Sequence, residues 1–529
     1  MAWWAPTVSE RPDLVPAPRQ YRPRPGQLTL EGRIGLSTDC ASESSATLLT
    51  EALTQAGVQV RNVERSERTA VTLRIDSGIS ASPEGYHIDI TTERALITGA
   101  SADGLARAVQ TIRQLLPADA LRRAPVGGAP WLPCCEIDDA PRYGWRGVHL
   151  DPARHFMPVP FVLRMIDLAA LHRLNVVHLH LTDDQGWRLD VPSRPLLAEH
   201  ASWRTETVIG RSSDFDGTPH GGYYSRADLD EIVEYARRRH ITIVPEVDLP
   251  GHVQSVLSAY PELGNTGHPV EVRRTWGISE NVLAPTEEAL AFAKEALDVV
   301  IEAFPGPWVH IGGDEVPRTE WRASAVAATR ARELGLRTVD ALQSWFLREL
   351  HAYLAERGRR VVGWDEILDD GGMPTDTIVM AWRGTQPAIA GLTSGHDVVM
   401  ATNTVTYLDY AASDEEGEPI AQPHTLTLAD ILDWEPEPPQ AADLPGTVLG
   451  VQAQLWSEYL PSARETEYAA FPRLCAIAEA GWSAPESRPD LMDRLPAHLR
   501  RLDALSVNYR PLTGPRPWQR GGTGSRRRP

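Results

Sequence analysis

The chain has 529 residues, 42% of them hydrophobic and 23% charged, with a formal net charge of -19. That length exceeds one ordinary domain and suits a large α/β barrel carrying a smaller module. The composition is that of a soluble globular protein, and the acidic balance argues against nucleic acid or an anionic membrane as partner, because both attract basic patches. Its basic residues are arginines with the single exception of Lys294. Cys40, Cys134, Cys135 and Cys475 show no CxxC spacing, so reduced, buried thiols are expected.

The opening stretch, "MAWWAPTVSERPDLVPAPRQ", lacks the basic and apolar regions of a secretory signal. No apolar run reaches the ~18 residues of a membrane span, so a cytoplasmic protein is expected. Residues 1–24, rich in proline and arginine, read as an irregular extension lying loosely on the surface. A small α/β accessory domain is expected over 25–140. It holds "VTLRID" (71–76) and "YHIDITTERALITGAS" (86–101), the latter two alternating strands around a tight turn. Ser101 fits an N-cap for the helix that follows, whose Leu105, Val109, Ile112 and Leu116 recur at helical spacing. "PVGGAPWLP" (125–133) reads as the linker out of this domain.

From residue 141 the pattern becomes strand, loop, helix, repeated. Buried-strand candidates are "GVHL" (147–150), "VVHLHL" (176–181), "ITIVPEV" (241–247) and "WVHIGG" (308–313). "RVVGW" (360–364), "TIVMAW" (377–382), "DVVMAT" (397–402) and "LGVQAQLW" (449–456) follow. Amphipathic helices at 225–239 and 340–358 lie between them. The gaps 365–376 and 383–396 leave room only for abbreviated crossovers. The expected fold class is α/β, a (β/α)8 TIM barrel over 141–510 preceded by the small domain. Residues 511–529 read as a disordered basic tail.

In such a barrel the residues after each strand form one ring at the active-site face. They are Asp151 and Arg154, Asp183 and Asp184, Asp248 and His252, Asp314 and Glu315, then Trp364, Asp365 and Glu366. Trp382, Tyr407 with Asp409, and Trp456 with Glu458 close the ring. Acids, indoles and one arginine suit a sugar, since indole faces stack on apolar sugar faces while carboxylates and arginine bind hydroxyls. Taken singly, each has a plainer reading. Asp314–Glu315 also fits the cap and first turn of a helix. His178 and His180, alternating onto one strand face, fit metal ligation or barrel-wall packing.

In series, "LDPARHF" (150–156), "HLHLTDDQGWR" (178–188), "PEVDLPGH" (245–252), "HIGGDE" (310–315), "GWDEI" (363–367), "MAWRG" (380–384), "YLDY" (407–410) and "QLWSEY" (454–459) resemble the β-N-acetylhexosaminidases of glycoside hydrolase family 20. The resemblance covers roughly 70–485. It departs after strand seven, where "YLDYAASDEEGEPIAQPH" runs acidic and loop-like on the leaving-group side. It implies a retaining hydrolase of terminal N-acetylhexosamine residues, on an oligosaccharide or glycoconjugate, in which the substrate's own 2-acetamido oxygen attacks C1 and forms an oxazolinium. Asp314 would then orient the acetamide N–H, and Glu315 would protonate the leaving oxygen and later deprotonate water. Tyr407 would bond the acetamide oxygen between walls of Trp364, Trp382 and Trp456. Arg154 and Glu458 would grip the 3- and 4-hydroxyls, with Asp409 beside them. Asp183 and His252, with Asp248 nearby, would support Glu315. No cofactor or metal is expected, and the chain is expected as monomer or homodimer. Two other readings stand beside this one: a metal-dependent barrel hydrolase suggested by His178 and His180, and a non-catalytic amino-sugar-binding protein.

Overall fold

The computed structural model describes residues 13–39, 42–63 and 70–521. Cys40 and the expected tail at 522–529 lie outside the described residues. Cys134, Cys135 and Cys475 are free and buried, as their sequence context suggested. No helix among the described residues is long and apolar enough to cross a membrane.

The N-terminal part builds a seven-stranded mixed sheet from β1 (Gln20–Thr29), β2 (Arg33–Ser37), β3 (Gln59–Asn62), β4 (Val71–Ile75), β5 (Tyr86–Ile90), β6 (Ala95–Gly99) and β7 (Trp131–Asp139), in spatial order β1-β7-β5-β6-β4-β2-β3. Helices α1 (Glu43–Gln55) and α2 (Ala102–Leu115) pack on each other and on this sheet, and Ser101 caps α2 by accepting from the Asp103 N–H. Two expectations need correction here. Residues 20–24 are not a loose extension but the start of β1, and Leu14 and Val15 before it are fully buried. The strand is disguised by Pro23, which is tolerated because β1 is an edge strand whose register slips between Pro23 and Gln27. Likewise the stretch read as a linker runs into β7 at Trp131, and β7 pairs with both β1 and β5.

Eight parallel strands then close a barrel in chain order: β8 (Trp145–Leu150), β9 (Val176–His180), β10 (Thr242–Glu246), β11 (Trp308–His310), β12 (Arg360–Trp364), β13 (Ile378–Ala381), β14 (Val398–Met400) and β15 (Val448–Ala453). Their near-continuous apolar runs follow from burial on both faces. The outer helices start where the caps predict. Helix α3 (Arg226–Arg238) opens on a full capping box between Ser225 and Asp228. The helix of Lys294, α4 (Glu287–Ala303), packs on α5 (Leu342–Ala355), where the Lys294 amine lies 5.4 Å from the Tyr353 ring centroid. Between β12 and β13 the crossover shrinks to a 3-10 segment at Asp365–Gly371, and the next keeps only the nine-residue α6 (Thr385–Thr393).

The sheet meets the barrel at the end opposite the ring of acids. Arg146, early in β8, and Arg107 of α2 both bind Glu84, at 2.7 and 2.8 Å. Just ahead of β9, Arg173 donates to Asp139 Oδ2 at 2.6 Å, with both side chains fully buried. Tyr86 Oη and Trp482 Nε1 also donate to Asp139. Removing one partner of such a pair leaves an uncompensated charge in the interior. Asp139→Ala is therefore expected to destabilise the chain by ~3–5 kcal/mol, read from denaturant unfolding, while Asp138→Ala on the exposed side of the same strand stays within ~0.5 kcal/mol.

Candidate active site

The C-terminal ends of the barrel strands open into a cleft lined by Arg154, Asp314, Glu315, Trp364, Trp382, Tyr407, Asp409, Trp456 and Glu458. Tyr410, Gln422, Pro423 and His424, from the loop after the seventh barrel strand, complete the lining. The loop's acidity is legible in the sequence, but nothing local marks these four residues as part of the cleft.

The turn that presents Asp314 and Glu315 follows from its glycines. Strand β11 stops at His310, and Gly312 (φ +67) and Gly313 (φ +95) then take left-handed backbone. A Cβ on Gly312 would lie 1.7 Å from Asp248 Oδ1, so a larger residue has no room there. Asp248 splints the turn by accepting from the Gly313 N–H at 3.1 Å, and Gln343 Nε2 donates to the Gly313 carbonyl at 2.6 Å. Glu315 is itself left-handed at φ +46, an uncommon state for a residue with a Cβ. Asp248, expected in the ring near Asp183 and His252, is fully buried and faces this turn rather than the cleft. Burial and the nearby Asp314 charge push its carboxyl well above the usual range.

Behind the pair stands His252, also left-handed at φ +51. Its Nε2 lies 3.6 Å from Glu315 Oε2 and 3.8 Å from Asp314 Oδ2, while its Nδ1 lies 3.2 Å from Asp183 Oδ1 and 3.4 Å from Asp184 Oδ2. Asp183 Oδ2 also meets Arg154 Nη2 and His180 Nε2, each at 2.8 Å. Arg154 is held further by Asp151 at 3.3 Å and stacks 4.8 Å over the Trp456 ring.

One side of the cleft is aromatic. Trp364 and Trp456 centroids are 5.7 Å apart, Tyr407 is 6.3 Å from Trp456, and Trp382 stacks on Tyr407 at 6.3 Å. Two of these rings are anchored through their indole N–H: Trp382 Nε1 donates to Glu366 Oε2 at 2.9 Å, and Trp364 Nε1 to the buried Glu246 Oε1 at 2.8 Å. The other side offers acceptors. Asp409 Oδ1, Glu458 Oε2 and Asp314 Oδ1 are buried without hydrogen-bond partners among the described residues, leaving them to a ligand's hydroxyl or amide donors.

Within the barrel, His178, Glu246 and His310 approach closely enough to hold a metal ion, as do His149, His180 and Glu246. Glu246 is already engaged, with Oε2 2.5 Å from His180 Nδ1 and Oε1 taking the Trp364 N–H, whereas both ring nitrogens of His149 are buried without a hydrogen-bond partner among the described residues. All of them are fully buried inside the barrel and none lines the cleft.

The profile of the glycosyl hydrolase family 20 catalytic domain matches residues 143–485, and that of the family's domain 2 matches 11–140. A β-hexosaminidase of Porphyromonas gingivalis is 35% identical over 524 residues, covering 97% of this chain. The chain spans 65% of that relative's length. A β-N-acetylhexosaminidase of Cellulomonas fimi is 34% identical over 461 residues, 85% of each chain. The crystal structure of an exo-β-N-acetylglucosaminidase from Vibrio harveyi, in complex with N-acetylglucosamine, superimposes with a TM-score of 0.82 at 28% identity, covering 97% of this chain and 81% of that one.

Burial, and after it the Glu315 charge, raise the Asp314 carboxyl to about 6 even though His252 pulls the other way. The carboxylate form therefore dominates above that pH and is lost below it. Turnover that depends on ionised Asp314 should fall about tenfold per pH unit on the acid side of about 6. This limb should be missing from the kcat/KM profile of Asp314→Asn, alongside a large loss of rate.

Proposed function

Because the chain belongs to glycoside hydrolase family 20, we propose that it is a retaining β-N-acetylhexosaminidase that removes terminal, non-reducing N-acetylhexosamine from oligosaccharides or glycoconjugates by substrate-assisted catalysis. The observation that carries this reading is the neighbouring pair itself. Asp314 is nearly buried against the aromatic wall, whereas Glu315 keeps about a third of its side chain exposed at the cleft mouth. Two adjacent carboxylates do not straddle a sugar as the 5–5.5 Å nucleophile and acid/base of most retaining enzymes do. They suit a division of labour in which one holds the substrate's nucleophile and the other moves the proton.

In this mechanism the acetamide lies in the box of Trp364, Trp382, Trp456 and Tyr407. Asp314 accepts its N–H, Tyr407 Oη donates to its oxygen, and the oxygen is held within reach of C1. Confinement of this kind carries much of the barrier reduction. Glu315 donates a proton to the glycosidic oxygen as the C1–O bond breaks, then takes one from the water that opens the oxazolinium. His252, backed by Asp183, places its Nε2 toward the oxygens of Glu315. Arg154, Glu458 and Asp409 serve the ring hydroxyls. No step calls on a metal.

Glu315→Gln should lower kcat at least ~10²-fold on substrates with poor leaving groups, and less on aryl glycosides whose leaving group departs unaided. Wild-type rates on a poor leaving group would remove Glu315 from the acid role. An aryl β-glucoside, which lacks the acetamide, should be cleaved many orders of magnitude more slowly than the corresponding aryl N-acetyl-β-glucosaminide, because intramolecular attack is worth effective molarities of about 10⁵–10⁸ M. A cyclic thiazoline mimic of the intermediate should inhibit strongly. Trapping of a glycosyl ester on any Asp or Glu would overturn the mechanism.

A further inference from the structure

Glu246, the anchor of the Trp364 indole, is the one charged residue in the "ITIVPEV" stretch. It is the last residue of β10 and fully buried. Parallel register sets it opposite His180 of β9 and His310 of β11, so its carboxylate enters the barrel between two imidazoles. Oε2 lies 2.5 Å from His180 Nδ1 and 3.1 Å from His178 Nε2. Oε1 lies 2.8 Å from His310 Nδ1 and accepts the Trp364 indole N–H at 2.8 Å.

Two arms leave this carboxylate for the cleft. One is direct, to Trp364 in the aromatic wall. The other passes through His180, whose Nε2 meets Asp183 Oδ2 at 2.8 Å, and Asp183 in turn meets Arg154 and His252. Both ring nitrogens of His180 face carboxyl oxygens; with Glu246 and Asp183 ionised these only accept, so both nitrogens carry hydrogens and the ring is an imidazolium. An isolated carboxylate at this depth would be expelled or neutralised. Glu246 persists as an anion because His180 answers it.

We propose that Glu246 is a positioning residue for the hydrolase reaction, a buried anion that fixes the Trp364 wall directly and, through the His180 imidazolium and Asp183, the orientation of Arg154 and His252. The proposal rests on the hydrolase reading given above. The directions of titration agree with it. Although burial opposes charge on both, Glu246 and Asp183 hold the His180 pKa well above its usual value, and the histidines, His310 foremost, hold the Glu246 carboxyl well below its own. The other titratable groups facing this carboxylate are His149 of β8, whose ring lies 5.8 Å from that of His180, His178 of β9, His310 of β11, and the Asp248 and Asp314 carboxyls beyond the end of β10 and β11. Burial pushes His149 well below the usual imidazole value and His178 down to about 4, which leaves His180 as the charged member of β9.

The first test needs no activity. Nitrogen-15 NMR of the full-length, histidine-labelled chain should show an imidazolium besides that of His252, with two strongly downfield N–H protons, that persists from about pH 5 to about pH 8, where a free histidine loses its charge. His180→Gln should abolish that pair of signals. If no doubly protonated ring disappears in His180→Gln, the proposal is overturned, including in the event that the Glu246 variant does not fold. The second test is Glu246→Gln, which keeps shape and an acceptor for Trp364 but removes the charge. With an aryl N-acetyl-β-glucosaminide its kcat should fall at least ~10-fold, KM should change less, and the deficit should widen as the aglycone becomes a poorer leaving group, because one arm ends at His252 beside Glu315. Thiazoline affinity should fall in parallel. A folded Glu246→Gln with wild-type kcat, leaving-group dependence and thiazoline affinity would overturn the proposal. Absence of turnover by the wild-type chain would count against the hydrolase reading, and the NMR result would still decide whether the anion is built as described.

Discussion

Asp183, fully buried where the second barrel strand ends, meets Arg154 and His180 through one oxygen and His252 through the other, so three side chains from separate segments take their positions from one carboxylate. The arrangement answers an electrostatic difficulty. A cleft that offers acids to a sugar concentrates negative charge in a low-dielectric space, where like charges repel strongly. The molecule meets that difficulty with cations placed behind the acids, leaving the lining free to face the ligand. The same balance of burial against counter-charge explains why buried carboxyls at the two ends of the barrel diverge. Asp314 is raised to about 6 and Glu366 to about 8, in both cases by burial first, whereas Glu84 beside Arg146 and Arg107 is held down at about 2 against its own burial.

The barrel was legible because its strands are short apolar runs spaced by helices, and all eight appear where that pattern puts them. The residues lining the cleft were legible for a related reason. Once the strand ends are known, Asp314, Glu315, Trp364, Trp382, Tyr407, Asp409, Trp456 and Glu458 fall into the ring without further information. What stayed hidden depends on pairing across sequence distance. The β1 strand carries Pro23 and little alternation, and only its partner β7 makes it a strand. Asp248 sits in the ring by position, yet it faces the Gly312–Gly313 turn, and nothing local announces that choice. Glu246 left a trace, an acid inside an apolar strand, but its partners come from β9, β11 and β12.

The loop after the seventh barrel strand shows the same limit from the other side. Its acidic composition reads as solvated, and Glu415 and Glu416 are indeed exposed, yet Gln422, Pro423 and His424 fold back over the cleft. Gln422 Nε2 comes to 3.4 Å from Glu458 Oε1, and His424 packs 5.1 Å from the Tyr410 ring. A segment of this kind varies the entrance while the strand ends keep the chemistry, the usual partition of labour between loops and frame.

The contacts beneath the barrel bear on modularity. Separate family profiles match the sheet and the barrel, which invites treating them as pieces that can be cut apart and recombined. Yet Glu84 and Asp139, both from the N-terminal part, are the counter-ions of Arg146 and Arg173 at the strand starts, and Arg146 and Arg173 are fully buried. A barrel excised at residue 141 would have to hydrate or bury two orphaned guanidiniums where its first two strands begin. Shuffling within this architecture is therefore constrained to exchange the two parts together, or to carry the matching charges along with whichever part is moved.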